Sequence, residues 1–141
     1  MRGFCYTRLM PDCIFCKIIK GEIPSRRGYE DSGYIAFLDI RPLTKGHTLV
    51  IPKQHHRWVW DDPNIGKYME AAQNVARAQQ KVFNTKQIAS AILGQEVPHA
   101  HIWLVPRHDD DGHGSFIDFH NVQTFSDAEM DEVAEKIRLA L

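Results

Sequence analysis

Between residues 64 and 83, apolar side chains recur three and four positions apart: Ile65, Tyr68, Met69, Ala72, Val75, Ala76 and Val82. That spacing places them on one face of a long α-helix, and Asp61 or Asp62 followed by Pro63 supplies its start signal. Shorter runs read as strands. Tyr34-Ile35-Ala36-Phe37-Leu38 and His47-Thr48-Leu49-Val50-Ile51 are β-rich, with Pro42 and Gly46 breaking the chain between them. After the helix come Ile88 to Leu93 and His99 to Val105, the second bounded by Pro98 and Pro106. Ile14 to Lys20 reads as a short helical segment closed by Gly21 and Pro24. Ser126-Asp127-Ala128-Glu129 fits a capping box, so a C-terminal helix should start there and carry Met130, Val133, Ala134 and Ile137 inward. A long helix between two pairs of strands with hairpin-length links predicts an α+β fold with an antiparallel sheet.

One strand carries chemistry. Side chains alternate across a strand, so Ala100, Ile102 and Leu104 share one face while His99, His101 and Trp103 share the other. The first face is small and aliphatic, as packing on a helix requires. The second is polar and aromatic, and burying it is costly unless each imidazole finds a partner. Two histidines on one strand face can converge on a metal or on an anionic phosphate. The competing reading is a solvated face with surface histidines.

Composition narrows the setting. The 141 residues suit one domain, and a 43% hydrophobic content is enough for one sizeable core. A net charge of −1 argues against a broad nucleic-acid footprint or an electrostatic membrane anchor. No apolar run approaches the ~20 residues of a membrane helix. Met1 to Pro11 carries Arg2 and Arg8 but no apolar signal core, and reads as a loosely ordered tail before a domain spanning 12–141. Three cysteines cannot build a disulfide framework. The Cys13-Ile-Phe-Cys16 spacing suits a metal or redox pair in a cytoplasmic protein, and Cys5 has no evident partner. The eight histidines are the unusual feature, because imidazole titrates near neutrality and ligates metals.

Four stretches, in order and spacing, define a resemblance. They are Cys-Ile-Phe-Cys-Lys-Ile-Ile, Ala-Phe-Leu-Asp-Ile-Arg-Pro, Gly-His-Thr-Leu-Val-Ile-Pro-Lys and Gly-Gln-Glu-Val-Pro-His-Ala-His-Ile, within residues 12 to 107. Together they resemble the histidine-triad family of nucleotide hydrolases and transferases. The resemblance implies an antiparallel sheet of about five strands with one long helix and a C-terminal helix. It implies that His101 attacks the α-phosphorus of a nucleotide to form a covalent nucleotidyl-imidazole that water cleaves, one hard displacement becoming two easier ones. A neutral imidazole can do this if its other nitrogen donates to a fixed acceptor such as a backbone carbonyl. His47 would lie beside the phosphate as a donor to developing charge. Gln95 matches a glutamine near the nucleophile, and Asp39 an acid that accepts both ribose hydroxyls. Ile14, Phe15, Ile18, Ile23, Phe37 and Leu49 match the apolar slot for the base, although Leu49 in particular could be plain core.

The resemblance further implies a structural zinc held by Cys13, Cys16, His55 and His99, with no catalytic metal. Such a closed tetrahedral set stabilises structure. His56 beside His55 leaves one register open, and two reduced thiols near incidental histidines is the plainer reading. Expected partners are a purine nucleotide or nucleoside phosphoramidate and a second copy in a homodimer. The third triad position is Trp103 where the family has histidine, which puts protonation of the leaving group in doubt. Slow cleavage of poor leaving groups, a substrate whose departing group is already good, or a ring that narrows the site would each follow. A nucleotidyl transferase and a nucleotide-binding module with weakened catalysis are the alternatives, and a zinc hydrolase using His99 and His101 is a third. The acidic, glycine-containing run from Arg107 to Gly114 reads as a solvated loop.

Overall fold

The computed structural model describes residues 12–141, so the tail predicted at 1–11, with Cys5, lies outside the described residues. In chain order the elements are α1 (Ile14–Ile19), β1 (Arg27–Glu30), β2 (Tyr34–Leu38), β3 (Thr48–Pro52), a 3₁₀ turn (Val59–Asp61), α2 (Ile65–Phe83), β4 (Ile88–Ala91), β5 (Ile102–Pro106) and α3 (Asp127–Ala140). The strands form one antiparallel sheet in the order β1-β2-β3-β5-β4. The fold is α+β, with the five strands and the two main helices expected.

Every residue of β2 and β3 is buried, which explains why both read as continuous apolar runs with no clean alternation. On one face, Ala36, Val50, Ile102 and Leu104 pack against Tyr68, Ala71 and Val75 of α2. On the other, Ile35, Phe37, Leu49 and Ile51 pack against Phe15, Cys16 and Ile18 of α1. A third cluster joins α2 to α3 through Ala78, Met130, Val133, Ala134 and Ile137. Each fully buried aliphatic side chain contributes about 1.5–3 kcal/mol. The Ser126–Glu129 capping box is present at the head of α3, with both reciprocal hydrogen bonds formed.

The elements differ from the expectations at several points, and β3 itself runs Thr48–Pro52, one residue later than the expected His47–Ile51. β1 has no sequence counterpart: it is a four-residue edge strand with a register shift between Arg27 and Tyr29. Gly28 sits there because a Cβ would come within 2.9 Å of Ile137. α2 begins at Ile65, after a turn in which the Asp62 carboxylate accepts from Asn64 N–H at 2.7 Å and from the Tyr34 hydroxyl at 2.7 Å. β4 ends at Ala91, leaving Ile92 and Leu93 outside the strand. β5 begins only at Ile102: Ala100 N–H donates to His56 O at 2.7 Å and His99 N–H to Val97 O, taking both off the ladder. Among the described residues no helix is long and apolar enough to cross a membrane.

Candidate active site

A cavity of about 620 Å³ opens on the α1 face of the sheet, lined by Ile14, Phe15, Ile18, Ile23, Phe37, Asp39, Leu49, His101 and Trp103 among others. Residues 99–105 alternate as their composition requires, even though the strand starts late. Ala100, Ile102 and Leu104 join the core under α2, whereas His101 and Trp103 line the cavity. Leu49 and Trp103 are directly paired across β3 and β5. The apolar side chains assigned to a base slot therefore share one wall system with His101. Sequence reasoning missed Glu96 and Val97 on the same wall. They fall inside the Gly-Gln-Glu-Val-Pro stretch, whose neighbour Gln95 had been singled out. The structure places Gln95 exposed and not among the cavity-lining residues.

His101 is buried, and its ring is oriented by a short bond. Nδ1–H donates to the His99 carbonyl at 2.7 Å, so Nε2 carries the lone pair. Phe15 braces the ring edge-on, with centroids 5.5 Å apart. His47 precedes β3 in a tight turn that requires Gly46 at φ +91. Its Nδ1 accepts from Leu43 N–H at 3.1 Å, which makes Nε2 the protonated nitrogen. Burial keeps this imidazole neutral, with a pKa lowered to about 3. Its Nε2–H has no hydrogen-bond partner among the described residues and lies 3.7 Å from Asp39 Oδ2, a contact that is not an ion pair because the ring is uncharged. Asp39 is held through Oδ1 by Arg41 N–H at 2.8 Å, and burial raises its pKa. Trp103 lies between two rings, 5.0 Å from His47 and 5.4 Å from Phe119, and its buried indole N–H also lacks a partner among the described residues. Phe119 comes from a distant loop, and no sequence signal marked it.

Behind this wall a second constellation forms. Cys13 and Cys16, at the head of α1, meet His55 and His99, with all four candidate donor atoms within 4.8 Å of one another. Cys13 Sγ lies 3.3 Å from His99 Nδ1, Cys16 Sγ 3.3 Å from His55 Nδ1, and Cys16 Sγ 3.6 Å from His99 Nδ1. Bond lengths of about 2.3 Å to sulfur and 2.0–2.1 Å to nitrogen give tetrahedral edges of roughly 3.3–3.8 Å, so these three separations suit a four-coordinate ion. His99 Nε2–H donates to the Pro52 carbonyl at 2.9 Å, which turns the Nδ1 lone pair toward the thiols. Burial holds the His99 pKa down at about 4 and also lowers that of His55, keeping both imidazoles in the form that ligates. The register left open by sequence resolves to His55; His56 is outside the cluster.

The run after β5 is not simply a solvated loop. Arg107 and Asp111 have side chains only 7% and 4% exposed and meet at 2.6 Å. Burial alone would raise the Asp111 pKa, but Arg107 and the N–H groups of His108 and His113 outweigh it and hold it at about 2. Sequence showed the charges; it could not show that one acid folds inward to collect them.

Comparison with known proteins agrees with this geometry. The HIT domain family matches residues 20–110, and the chain belongs to that family. An uncharacterized HIT-like protein of Methanocaldococcus jannaschii is 36% identical over 132 residues, covering 89% of this chain and 98% of that one. The adenosine 5'-monophosphoramidase of Saccharomyces cerevisiae is 43% identical over 101 residues, covering 70% of this chain and 64% of its own. The adenylylsulfatase of Arabidopsis thaliana is 36% identical over 112 residues, covering 74% and 57%. Among solved structures, a HIT-like protein of Bartonella henselae superposes with a TM-score of 0.78 at 35% identity, covering 95% of this chain and 100% of that one. A zinc-bound histidine-triad protein of Mycobacterium smegmatis superposes with a TM-score of 0.73 at 34% identity, covering 92% of each.

Proposed function

We propose that this protein is a nucleotide hydrolase that cleaves at the α-phosphate of nucleoside phosphoramidates or dinucleotides through a nucleotidyl-His101 intermediate. The observation that supports it most is the His101 Nδ1–H bond to His99 O, which leaves Nε2 as the lone-pair nitrogen of a residue lining the cavity. In the first step His101 Nε2 forms a bond to the α-phosphorus as the bond to the leaving group breaks, and the leaving group departs with the electron pair. Nδ1 keeps its proton, and the His99 carbonyl stabilises the positive charge that the ring acquires. In the second step water attacks phosphorus, the P–N bond breaks, and the imidazole returns to its starting form with a proton released. His47 Nε2–H, held neutral and unpartnered, is the donor for a phosphoryl oxygen. Asp39 accepts ribose hydroxyls, Gln95 belongs to the loop bordering the phosphate, and the apolar wall takes the base. The named activities of the yeast and plant relatives support the reaction class.

Trp103 stands where the family motif has its third histidine, and an indole cannot deliver a proton to a departing amine. The site therefore favours groups that leave as stable anions. Cys13, Cys16, His55 and His99 would hold a zinc ion, as the zinc-bound relative supports, and through it these residues would fasten the N-terminal wall of the cavity to the stretch that precedes β5, a structural role outside the reaction. The test is single-turnover mixing with an adenosine phosphoramidate and with adenylyl sulfate. Release of AMP that disappears in His101→Ala, with trapped AMP-protein in the unmutated chain, is expected. Tight binding with no turnover, with water or with any other acceptor, would overturn the reading in favour of a binding module.

A further inference from the structure

His47 is useful only as an Nε2–H donor, and what fixes that tautomer lies in the peptide opposite its ring. Leu43 N–H donates to His47 Nδ1 at 3.1 Å. The carbonyl of the same peptide unit, Pro42 O, accepts from Gln123 N–H at 2.8 Å. No peptide bond among the described residues is cis, so the two groups point in opposite directions and the unit is gripped from both sides. The next carbonyl, Leu43 O, accepts from His113 Nε2–H at 2.7 Å, and His113 Nδ1 accepts from Asp118 N–H at 3.1 Å, which fixes the tautomer of His113 in turn. Both gripping residues belong to one segment. Gln123 Nε2 donates to Asp111 O at 2.6 Å, and Asp111 is locked to Arg107, whose guanidinium also donates to Gly114 O at 2.8 Å. The chain of bonds thus runs from the buried Arg107–Asp111 pair through His113 and Gln123 to residues 42–43, and from there to the His47 ring. Consecutive hydrogen bonds of this kind polarise one another, so the donor is strengthened as well as oriented.

We propose that residues 107–123 form a clamp that holds His47 as an Nε2–H donor, with His113 as its positioning residue. The proposal rests on the reading of His47 as the phosphate-side donor. His113 itself touches neither the cavity nor the nucleophile; it acts through Leu43.

Two substitutions separate this from a merely structural staple. Gln in His113→Gln reaches about as far as the imidazole Nε2 and keeps a donor for Leu43 O. Asn in His113→Asn keeps a polar group near the Nδ1 position but cannot reach that carbonyl. Side-chain ¹⁵N spectra of histidine-labelled protein, with His47 signals identified by their loss in His47→Asn, report which ring nitrogen is protonated. The Gln variant should keep a single Nε2–H tautomer for His47 and its kcat. The Asn variant should show averaging between tautomers and a kcat lowered about tenfold to a hundredfold at unchanged KM, the scale on which outer partners of a functional imidazole act. Equal spectra for the two variants, or a lower melting temperature in the Asn variant with tautomer and kcat unchanged, would overturn the clamp. If the unmutated protein turns over no nucleotide, the proposed function falls, yet the ring-nitrogen spectra still decide the clamp.

Discussion

Removing metal from the cluster at the head of α1 should lower the melting temperature by an amount set by mass action. An ion that binds only the folded chain at a hundred times its dissociation constant contributes about 2.7 kcal/mol. The folded part described is about 130 residues, and unfolding entropy near the midpoint is about 2 cal/mol/K per residue, giving roughly 270 cal/mol/K. The quotient is a shift of about 10 °C. The contacts argue that a loss of this order is borne locally: Cys13, Cys16 and His99 are buried, and Phe15 packs on the His99 ring with centroids 5.7 Å apart. The assay is calorimetry before and after dialysis against a strong chelator, with elemental analysis of the starting protein. One zinc per chain and a midpoint about 10 °C lower in the stripped sample are expected, with Cys16→Ser resembling the stripped protein. A metal-free preparation whose midpoint ignores both chelator and added zinc would refute the cluster. Abolition of turnover by chelator at an unchanged midpoint would refute its structural role and point to a metal in the reaction.

Other outcomes follow from single residues. His47 is neutral when folded because burial depresses its pKa to about 3, whereas the unfolded chain takes up that proton below about pH 6.5. Its contribution is therefore fully present above pH 6.5 and is lost as pH falls toward 3, at about 1.4 kcal/mol per pH unit. Denaturant titrations of His47→Asn between pH 7 and 4.5 should show a slope shallower by that amount, and parallel slopes would refute the assignment. Gly46→Ala places a methyl group against the Phe83 ring on a backbone at φ +91, and should cost about 2–4 kcal/mol in equilibrium unfolding. An effect below 1 kcal/mol would mean the turn is not held as described. Trp103→His should raise kcat/KM for an adenosine phosphoramidate by about tenfold or more, the lower end of what a general acid supplies being larger still, while changing adenylyl sulfate little. Unchanged kcat/KM for both substrates would end the leaving-group account of position 103.

What could be read in advance was what repeats with a period or sits in a motif. The 100/102/104 against 101/103 alternation survived although β5 starts at Ile102, because burial is decided face by face. The spacing of α2 marked the centre of its buried face at Tyr68, Ala72 and Val75, but Met69 is exposed and Ala71, Ala78 and Gln79 are buried in addition; the capping box marked the start of α3. β1 was invisible because Arg27-Gly28-Tyr29-Glu30 has a single apolar side chain, Tyr29, and no alternation; it pairs with β2, and its glycine fits the close approach of Ile137, more than a hundred residues later. The same reasoning covers Phe119 on Trp103 and His113 on Leu43: both contacts depend on a loop path that no local pattern encodes. Gln95, singled out by the motif match, is exposed, and it is the adjoining Glu96 and Val97 that line the cavity, a difference of side-chain direction that a motif match does not encode.

The contact between Cys13 and His99 spans 86 residues of chain. A polypeptide emerging N-terminus first at about 5–20 residues per second makes the two thiols roughly 4–17 s before the histidine that completes their cluster. During that interval neither thiol has the His99 imidazole beside it, and the strand residues that complete the cavity wall are not yet made. The segment that opens the described fold is thus completed only by the stretch leading into its last strand, residues 99–101 followed by β5, which carries His99, His101 and Trp103 together.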